Sequence, residues 1–229
     1  MELQGRTFVV TGGTGALGTA VVGACLAAGA RCRVPYRSDA EADVFPYKDQ
    51  VTLVPRSDLT SEADVARLYD GIPDLWASIH IAGSFAMGSV TDTDKAALMG
   101  MLDANLVSCY LCCRGAVRTF GAAGGRIVNV TSRPGLEPRL GAGMSAYTAG
   151  KAAVAALTGA LAAELVGRNI LVNAVAPSII DTPKNRAALP KADHDAWVKP
   201  EEIAMTIAFL ASPANTVTNG AVVPVYGRA

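Results

Sequence analysis

The chain carries no excess of charge of either sign: twenty Lys and Arg balance twenty Asp and Glu. That balance builds no large positive field, which excludes nucleic acid or an anionic membrane surface as the main partner. Charge is also scarce, at 17% of residues against about 25% in an average domain. Apolar residues, by contrast, reach 51%, enough to offset the entropy of ordering, so a disordered chain is excluded. A disulfide framework is lacking too. Five cysteines in 229 residues are odd in number and too sparse for a stapled miniprotein. Cys109 and Cys112 spell CxxC with Cys113 beside them, but neither a second pair nor a neighbouring histidine completes a zinc set. An apolar helix with small sulfur side chains accounts for them, in a reduced setting and with no metal expected.

An uninterrupted apolar run is missing as well. Residues 7–30 contain no charge and end in Ala28-Gly29-Ala30, which imitates an export signal. Residues 11–18, TGGTGALG, place four glycines and two threonines inside that run. Each glycine costs about 1 kcal/mol relative to alanine in a helix, which excludes a signal core or a membrane-spanning helix. The expectation is a soluble, cytoplasmic protein.

What the chain does have is alternation. Short β-branched runs predict strands over 6–11, 31–36, 51–54, 75–81, 126–131, 170–175 and 221–225. Helical patterns predict helices over 16–28, after the capping residues 58–62, and over 94–120, 145–166 and 200–210. Strands alternating with helices imply right-handed βαβ units and a parallel sheet covered on both faces. The fold class expected is therefore α/β, a Rossmann-like doubly wound three-layer sandwich with a seven-stranded parallel sheet. One domain spans 1–229, and a proline-bearing loop at about 178–199 lies where such sheets bind ligands, beyond the strands' carboxyl ends.

TGGTGALG follows the first strand and opens the first helix, the place of a dinucleotide fingerprint. Gly12, Thr14, Gly15, Ala16, Leu17 and Gly18 form a turn whose backbone N–H groups can approach a pyrophosphate at a helix N-terminus. The second strand ends Pro35-Tyr36-Arg37-Ser38, without the carboxylate that grips a ribose 2′-hydroxyl in NAD sites. A guanidinium and a hydroxyl suit a 2′-phosphate instead, so NADPH or NADP is expected, with NAD less favoured. Asp58, with Leu59 beside it, follows the third strand. It suits either the adenine amino group or the cap of the next helix.

Tyr147 and Lys151 stand four residues apart at a helix start, on one face and about 6 Å apart along the axis. A cation fixed near a phenol lowers its pKa by about 1–3 units, which makes the phenol a usable proton donor. Ser132 ends the preceding strand, where its hydroxyl reaches the same crevice.

With TGGTGALG, RIVNVTS and YTAGK in this order, the sequence resembles the short-chain dehydrogenase/reductase family, in its single-domain branch, over essentially its whole length. The resemblance implies a catalytic set of Asn105, Ser132, Tyr147 and Lys151. In it Tyr147 exchanges the proton, Lys151 holds the nicotinamide ribose and lowers the Tyr147 pKa, Ser132 bonds the carbonyl oxygen, and Asn105 holds a relaying water. Further cofactor contacts are implied at Ile81, Ala82 and Gly83, where His80-Ile81-Ala82-Gly83 replaces the family's Asn-Asn-Ala-Gly, and at Pro177, Ile180 and Thr182. His80 itself reads as a packed or hydrogen-bonded strand residue. The implied activity is NADPH-dependent reduction of a ketone or aldehyde, or the reverse oxidation of an alcohol. The implied assembly is a homo-oligomer, a tetramer or dimer. Residues 181–197 also resemble the dihydropteridine reductases, which implies a pterin or quinonoid substrate as the alternative. A dinucleotide-binding sensor without turnover is the rival class.

Overall fold

A computed structural model describes residues 3–228. β1 (Thr7–Thr11) is a short run of apolar and β-branched residues, buried from Phe8 onward, as a strand covered on both faces must be. After it come α1 (Ala16–Ala27), β2 (Arg31–Pro35), α2 (Asp39–Asp43), β3 (Thr52–Val54), α3 (Glu62–Tyr69) and β4 (Leu75–His80). The chain continues through α4 (Lys95–Leu102), α5 (Ser108–Thr119), β5 (Gly125–Val130), α6 (Arg133–Leu136) and α7 (Ser145–Leu165). It ends with β6 (Ile170–Pro177), α8 (Pro183–Ala188), α9 (Pro200–Ala211) and β7 (Val222–Val225).

The seven strands form one sheet in the order β3-β2-β1-β4-β5-β6-β7, and every neighbouring pair is parallel. The chain reverses direction across the sheet between β1 and β4, which opens a crevice at their carboxyl ends. The period-2 alternation of the strands splits the core into two layers. Phe8, Val10 and Val128 face α1 and α9 with Val21, Val22, Ile203 and Ile207. Val9, Ile127 and Val172 face the other way, onto Val65, Leu68, Cys112 and Val154. Pro35 falls at the last position of β2, opposite Val54, where its missing N–H does least harm.

The stretches Lys95–Thr119 and Ser145–Arg168 are long and apolar enough to cross a membrane by length and composition. Both pack on this sheet, burying Cys113, Ala116, Val154 and Leu165. The first is one continuous helix with a correction to the expected α-geometry: residues Asp103–Val107 form a π-helical turn between α4 and α5. Short helices α2, α6 and α8 fill segments expected as loops. Each is six residues or fewer, too short to show a helical period.

The glycine loop is held by backbone proximity. Gly12 adopts φ +67°, and a Cβ there would lie 2.7 Å from the Ala82 nitrogen. A Cβ on Gly18 would overlap the Gly12 carbonyl oxygen, so α1 starts tight against the turn that precedes it. Gly18→Val forces backbone to move on both sides. We expect a loss of about 1–3 kcal/mol, read as a lower urea midpoint at unchanged m-value. An unchanged midpoint would show that the turn relaxes freely.

Candidate active site

The carboxyl end of β5 and the first turns of α7 build the centre. Lys151 is buried (6% exposed), and its Nζ donates to the Val130 carbonyl at the end of β5, at 2.9 Å. One turn earlier Tyr147 is half-buried, with its ring centroid 6.0 Å from that Nζ. The ring stands edge-on to Phe85, centroids 5.0 Å apart. Ser132, buried at the β5–α6 junction, lies beside the Tyr147 hydroxyl and caps α6, accepting from the Gly135 N–H at 3.3 Å. α6 and a 3-10 turn at Pro138–Gly141 absorb the chain between Ser132 and Tyr147. Neighbouring hydroxyls are differently placed: Thr131 donates to the Lys151 carbonyl at 2.5 Å, and Ser145 is exposed.

Asn105 sits on the π-helical turn. Its Nδ2 donates to the carbonyls of Ser84 and Met101, both at 3.0 Å, which fixes the amide orientation. Its Oδ1 is buried and has no partner among the described residues. A Cβ built on Gly83 would lie 2.5 Å from this oxygen and 3.3 Å from Lys151 Nζ. The free acceptor and the ammonium therefore face one small space, and the glycine leaves it open.

Burial raises the Tyr147 phenol, and the neighbouring Ser132 hydroxyl acts against that rise. The ammonium is itself pushed down to about 8, by burial.

At the other end of the crevice, α1 begins at Ala16 with Gly15 at its cap position, no side-chain cap bond and no acidic residue in its first turn. Its first N–H groups and dipole are left for an anion. Gly12 lies against Ala82, and Thr11 binds the next strand's exit, its carbonyl accepting from Ile81 N at 3.2 Å and its Oγ1 from Ala82 N at 3.4 Å. Leu17 and Gly18 are buried behind the loop. These features fit a dinucleotide.

Arg37 and Ser38 are exposed past β2, but a carboxylate missed in the sequence joins them. Glu41 of α2 pairs with Arg37, Nε to Oε1 at 3.6 Å. Its other oxygen accepts from Arg37 N at 3.3 Å and from Thr14 Oγ1 at 3.4 Å. The Ser38-x-x-Glu41 spacing, that of a capping box, was the signal available for it.

Of the two roles open to Asp58, the helix cap falls to another residue: α3 is capped by Ser61, which accepts from Asp64 N at 3.3 Å. Asp58 is exposed beside half-buried Leu59 and accepts from Thr60 N and Oγ1, at 2.9 and 2.7 Å. Pro177 ends β6. Ile180 bridges to Val198, closing the base of the 178–199 loop. Thr182 caps α8, accepting from Asn185 N at 3.2 Å, and Trp197 is buried against the His194 ring, 4.5 Å away. Phe85 and Met87, exposed apolar residues on the β4–α4 connection, complete the rim beside Tyr147 and Gly143. Their own stretch offered no periodic signal. A separate cleft of about 580 Å³ between α3 and α5, lined in part by Glu62, Tyr69, Arg114 and Arg118, opens at the opposite, amino-terminal edge of the sheet.

The lowered Lys151 pKa has a stability consequence. The unfolded chain holds this proton up to about 10.4, whereas the folded chain releases it at about 8. Between those values the unfolded state binds more protons, so stability rises with pH. Relative to Lys151→Met, the parent protein should gain up to about 3 kcal/mol between pH 7 and 10. Denaturant unfolding at both pH values measures this, and a constant difference would contradict a strained ammonium.

Comparison with known proteins follows the same lines. A family model described as enoyl-(acyl carrier protein) reductase matches residues 13–227. The chain is 35% identical to galactitol 2-dehydrogenase of Rhizobium johnstonii, over 98% of this chain and 95% of that one. It is 34% identical to cis-4-hydroxycyclohexanecarboxylate dehydrogenase of Sinomonas cyclohexanicum, over 97% and 95%. Among solved structures it is similar to a short-chain type dehydrogenase/reductase from Mycobacterium ulcerans, at 25% identity and TM-score 0.88, over 100% of this chain and 90% of that one. The parallel sheet, the glycine loop against Ala82 and the Tyr147–Lys151 turn thus belong to a member of the short-chain dehydrogenase/reductase family, an oxidoreductase acting on CH–OH and C=O groups.

Proposed function

We propose that the protein interconverts a small-molecule alcohol and its ketone or aldehyde with NADPH or NADP, Tyr147 carrying the proton. The observation that carries this reading is the partnerless Asn105 Oδ1 facing Lys151 Nζ across the space beside Gly83. A buried acceptor without a donor costs about 1–3 kcal/mol, and a water there bonds both groups and links the crevice to Lys151. The relatives named for dehydrogenating galactitol and cis-4-hydroxycyclohexanecarboxylate support a hydroxyl-bearing carbon as the reacting centre.

A bound nicotinamide dinucleotide supplies a hydride. The chain's own residues do the rest. The first turn of α1 receives the pyrophosphate, with Ile81, Ala82, Pro177, Ile180 and Thr182 lining the path to the nicotinamide. Ser132 bonds the substrate oxygen, and Tyr147, held between Phe85 and Ser132, gives it a proton as negative charge develops there. Lys151 donates to ribose hydroxyls and keeps the proton supply charged. Phe85, Met87 and the 178–199 loop exclude water from the rim. Exposed apolar residues on the outer faces, Leu98 and Tyr110 on the long helix and Met205 and Phe209 on α9, support a homo-oligomer, and the five reduced cysteines suit a cytoplasmic setting.

Tyr147→Phe removes only the hydroxyl. It should lower kcat by about 10²–10⁴-fold with nearly unchanged cofactor Kd, and Ser132→Ala should lower kcat far more than Ser145→Ala. Retained turnover in Tyr147→Phe would remove the phenol from the mechanism.

The preference for NADPH rests on Arg37 with Ser38, whose donors match a 2′-phosphate. Glu41 favours a second reading, in which its carboxylate accepts from the free ribose hydroxyls of NADH. Two variants separate them. On the first reading Arg37→Ala weakens NADPH by about 10- to 100-fold, and Glu41→Gln, which frees Arg37 and removes a repelling charge, strengthens it. On the second, Glu41→Gln weakens NADH and Arg37→Ala leaves it unchanged. Binding titrations with both dinucleotides decide.

A further inference from the structure

Behind the catalytic floor, on the sheet face covered by α5, four polar side chains from three elements converge in a buried space. They are His80 at the end of β4, Cys109 and Cys113 one turn apart on α5, and Asn129 on β5, all at most 5% exposed. Asn129 Oδ1 lies 2.8 Å from His80 Nδ1, 3.3 Å from Cys109 Sγ and 3.6 Å from Cys113 Sγ. Cys113 Sγ is 3.4 Å from His80 Nδ1, and the His80, Cys109 and Cys113 ligand atoms all fall within 4.8 Å of one another.

Hydrogen bonding leaves this cluster crowded. With the proton on His80 Nδ1, that N–H and both thiols lie within reach of one amide oxygen. With the proton on Nε2, two acceptors, Nδ1 and Oδ1, face each other at 2.8 Å. A cation among the four removes both conflicts. Metal bonds of about 2.3 Å to sulfur and 2.0–2.2 Å to nitrogen or oxygen give tetrahedral edges of about 3.3–3.8 Å, close to the Cys109–Asn129, Cys113–Asn129 and Cys113–His80 separations.

The groups behind the ligands fit as well. A metal on Nδ1 needs a proton on Nε2 and an acceptor for it, and Ser78 Oγ lies 2.8 Å away, itself 2.7 Å from Tyr69 OH. Asn129 Nδ2 donates to Thr158 Oγ1 at 3.0 Å, and Thr158 donates to Val154 O at 2.8 Å, so the amide oxygen is turned into the cluster. Such outer hydrogen bonds orient metal ligands. Cys112, the other half of the CxxC spelling, is buried in the apolar layer with Val65 and Leu68.

We propose that Cys109, Cys113, His80 and Asn129 bind one thiophilic divalent cation, of the zinc or cadmium class, as a structural clamp between α5 and the sheet. Binding forms two metal–thiolate bonds and one bond each to imidazole and amide oxygen. It releases the two thiol protons to solvent, leaves the site neutral and changes no oxidation state.

Cadmium is the probe, because thiolate-to-cadmium charge transfer absorbs in the ultraviolet. The complete protein, incubated to equilibrium, should bind one ion per chain, release about two protons and unfold at higher temperature. Cys109→Ser and Cys113→Ser should each weaken binding by at least about 100-fold and His80→Asn by about 10–100-fold. A Cys25→Ser/Cys32→Ser double variant, which removes the other neighbouring thiols, should bind as the parent does. Absence of the absorption band, its survival without Cys109 or Cys113, or its loss with Cys25 and Cys32 would each overturn the site. If the cysteine variants fail to fold, X-ray absorption at the cadmium edge of the parent protein decides. Two sulfur with two nitrogen or oxygen neighbours support the clamp, and any other shell rejects it.

Discussion

The bond between the Lys151 ammonium and the Val130 carbonyl sets the position of everything around it. A buried ammonium is expensive unless it is paired or hydrogen-bonded, so α7 is held where that nitrogen meets the carboxyl end of β5. Thr131 Oγ1 grips the Lys151 carbonyl from the same strand end, fixing the helix in rotation as well as height. With those two contacts made, Tyr147 must fall one turn earlier, over the crevice, and Ser132 must lie next to it. The π-helical turn then brings the Asn105 oxygen to the other side of the ammonium. A single backbone carbonyl under-satisfies three N–H donors, and the open space at Gly83 is where further acceptors approach. The strain that burial leaves in Lys151 thus favours further acceptors at that space.

Most of the fold was legible because a parallel sheet covered on both faces writes its strands as continuous apolar runs. RTFVVT, RIVNVT and ILVNAV each became a strand, shifted by a residue or two where Arg6 or Thr131 leaves the ladder. The centre was legible for a different reason: Tyr147 and Lys151 are neighbours on one helix, so their spacing fixes their geometry. Asn105 gave no such signal, since a π-turn is invisible to a 3.6-residue period and the segment reads as unbroken helix. Glu41 was hidden because α2 is only five residues long. Phe85 and Met87 lie on an irregular connection, placed by Gly88 bridging to Met144 rather than by any pattern of their own.

Sequence adjacency does not show which cysteines meet. Cys109 lies on one helix face with both Cys112 and Cys113, but the sulfurs that gather at His80 are those of Cys109 and Cys113, and that histidine comes from β4, where the family pattern has an asparagine. His80 therefore does more than fill a strand position. It joins Ser78, Tyr69 and Asn129 into a polar seam through an otherwise apolar layer. Such a seam is tolerated only if its atoms are paired, and at Asn129 Oδ1 three neighbours share one acceptor.

A similar tension governs the far end of the crevice. Arg37 and Glu41 form an ion pair whose cation is 83% exposed, and such pairs are worth about 0–1 kcal/mol. A charge-assisted bond from a guanidinium to a phosphate is stronger than that, so the pair yields to a 2′-phosphate without large loss. Glu41 is less free to leave, because its carboxylate also holds Arg37 N and Thr14 Oγ1 and thereby ties β2 to the glycine loop. The cofactor end is consequently balanced between a mobile cation and an anchored anion. Which of them meets the ribose depends on whether the 2′-oxygen brings charge of its own.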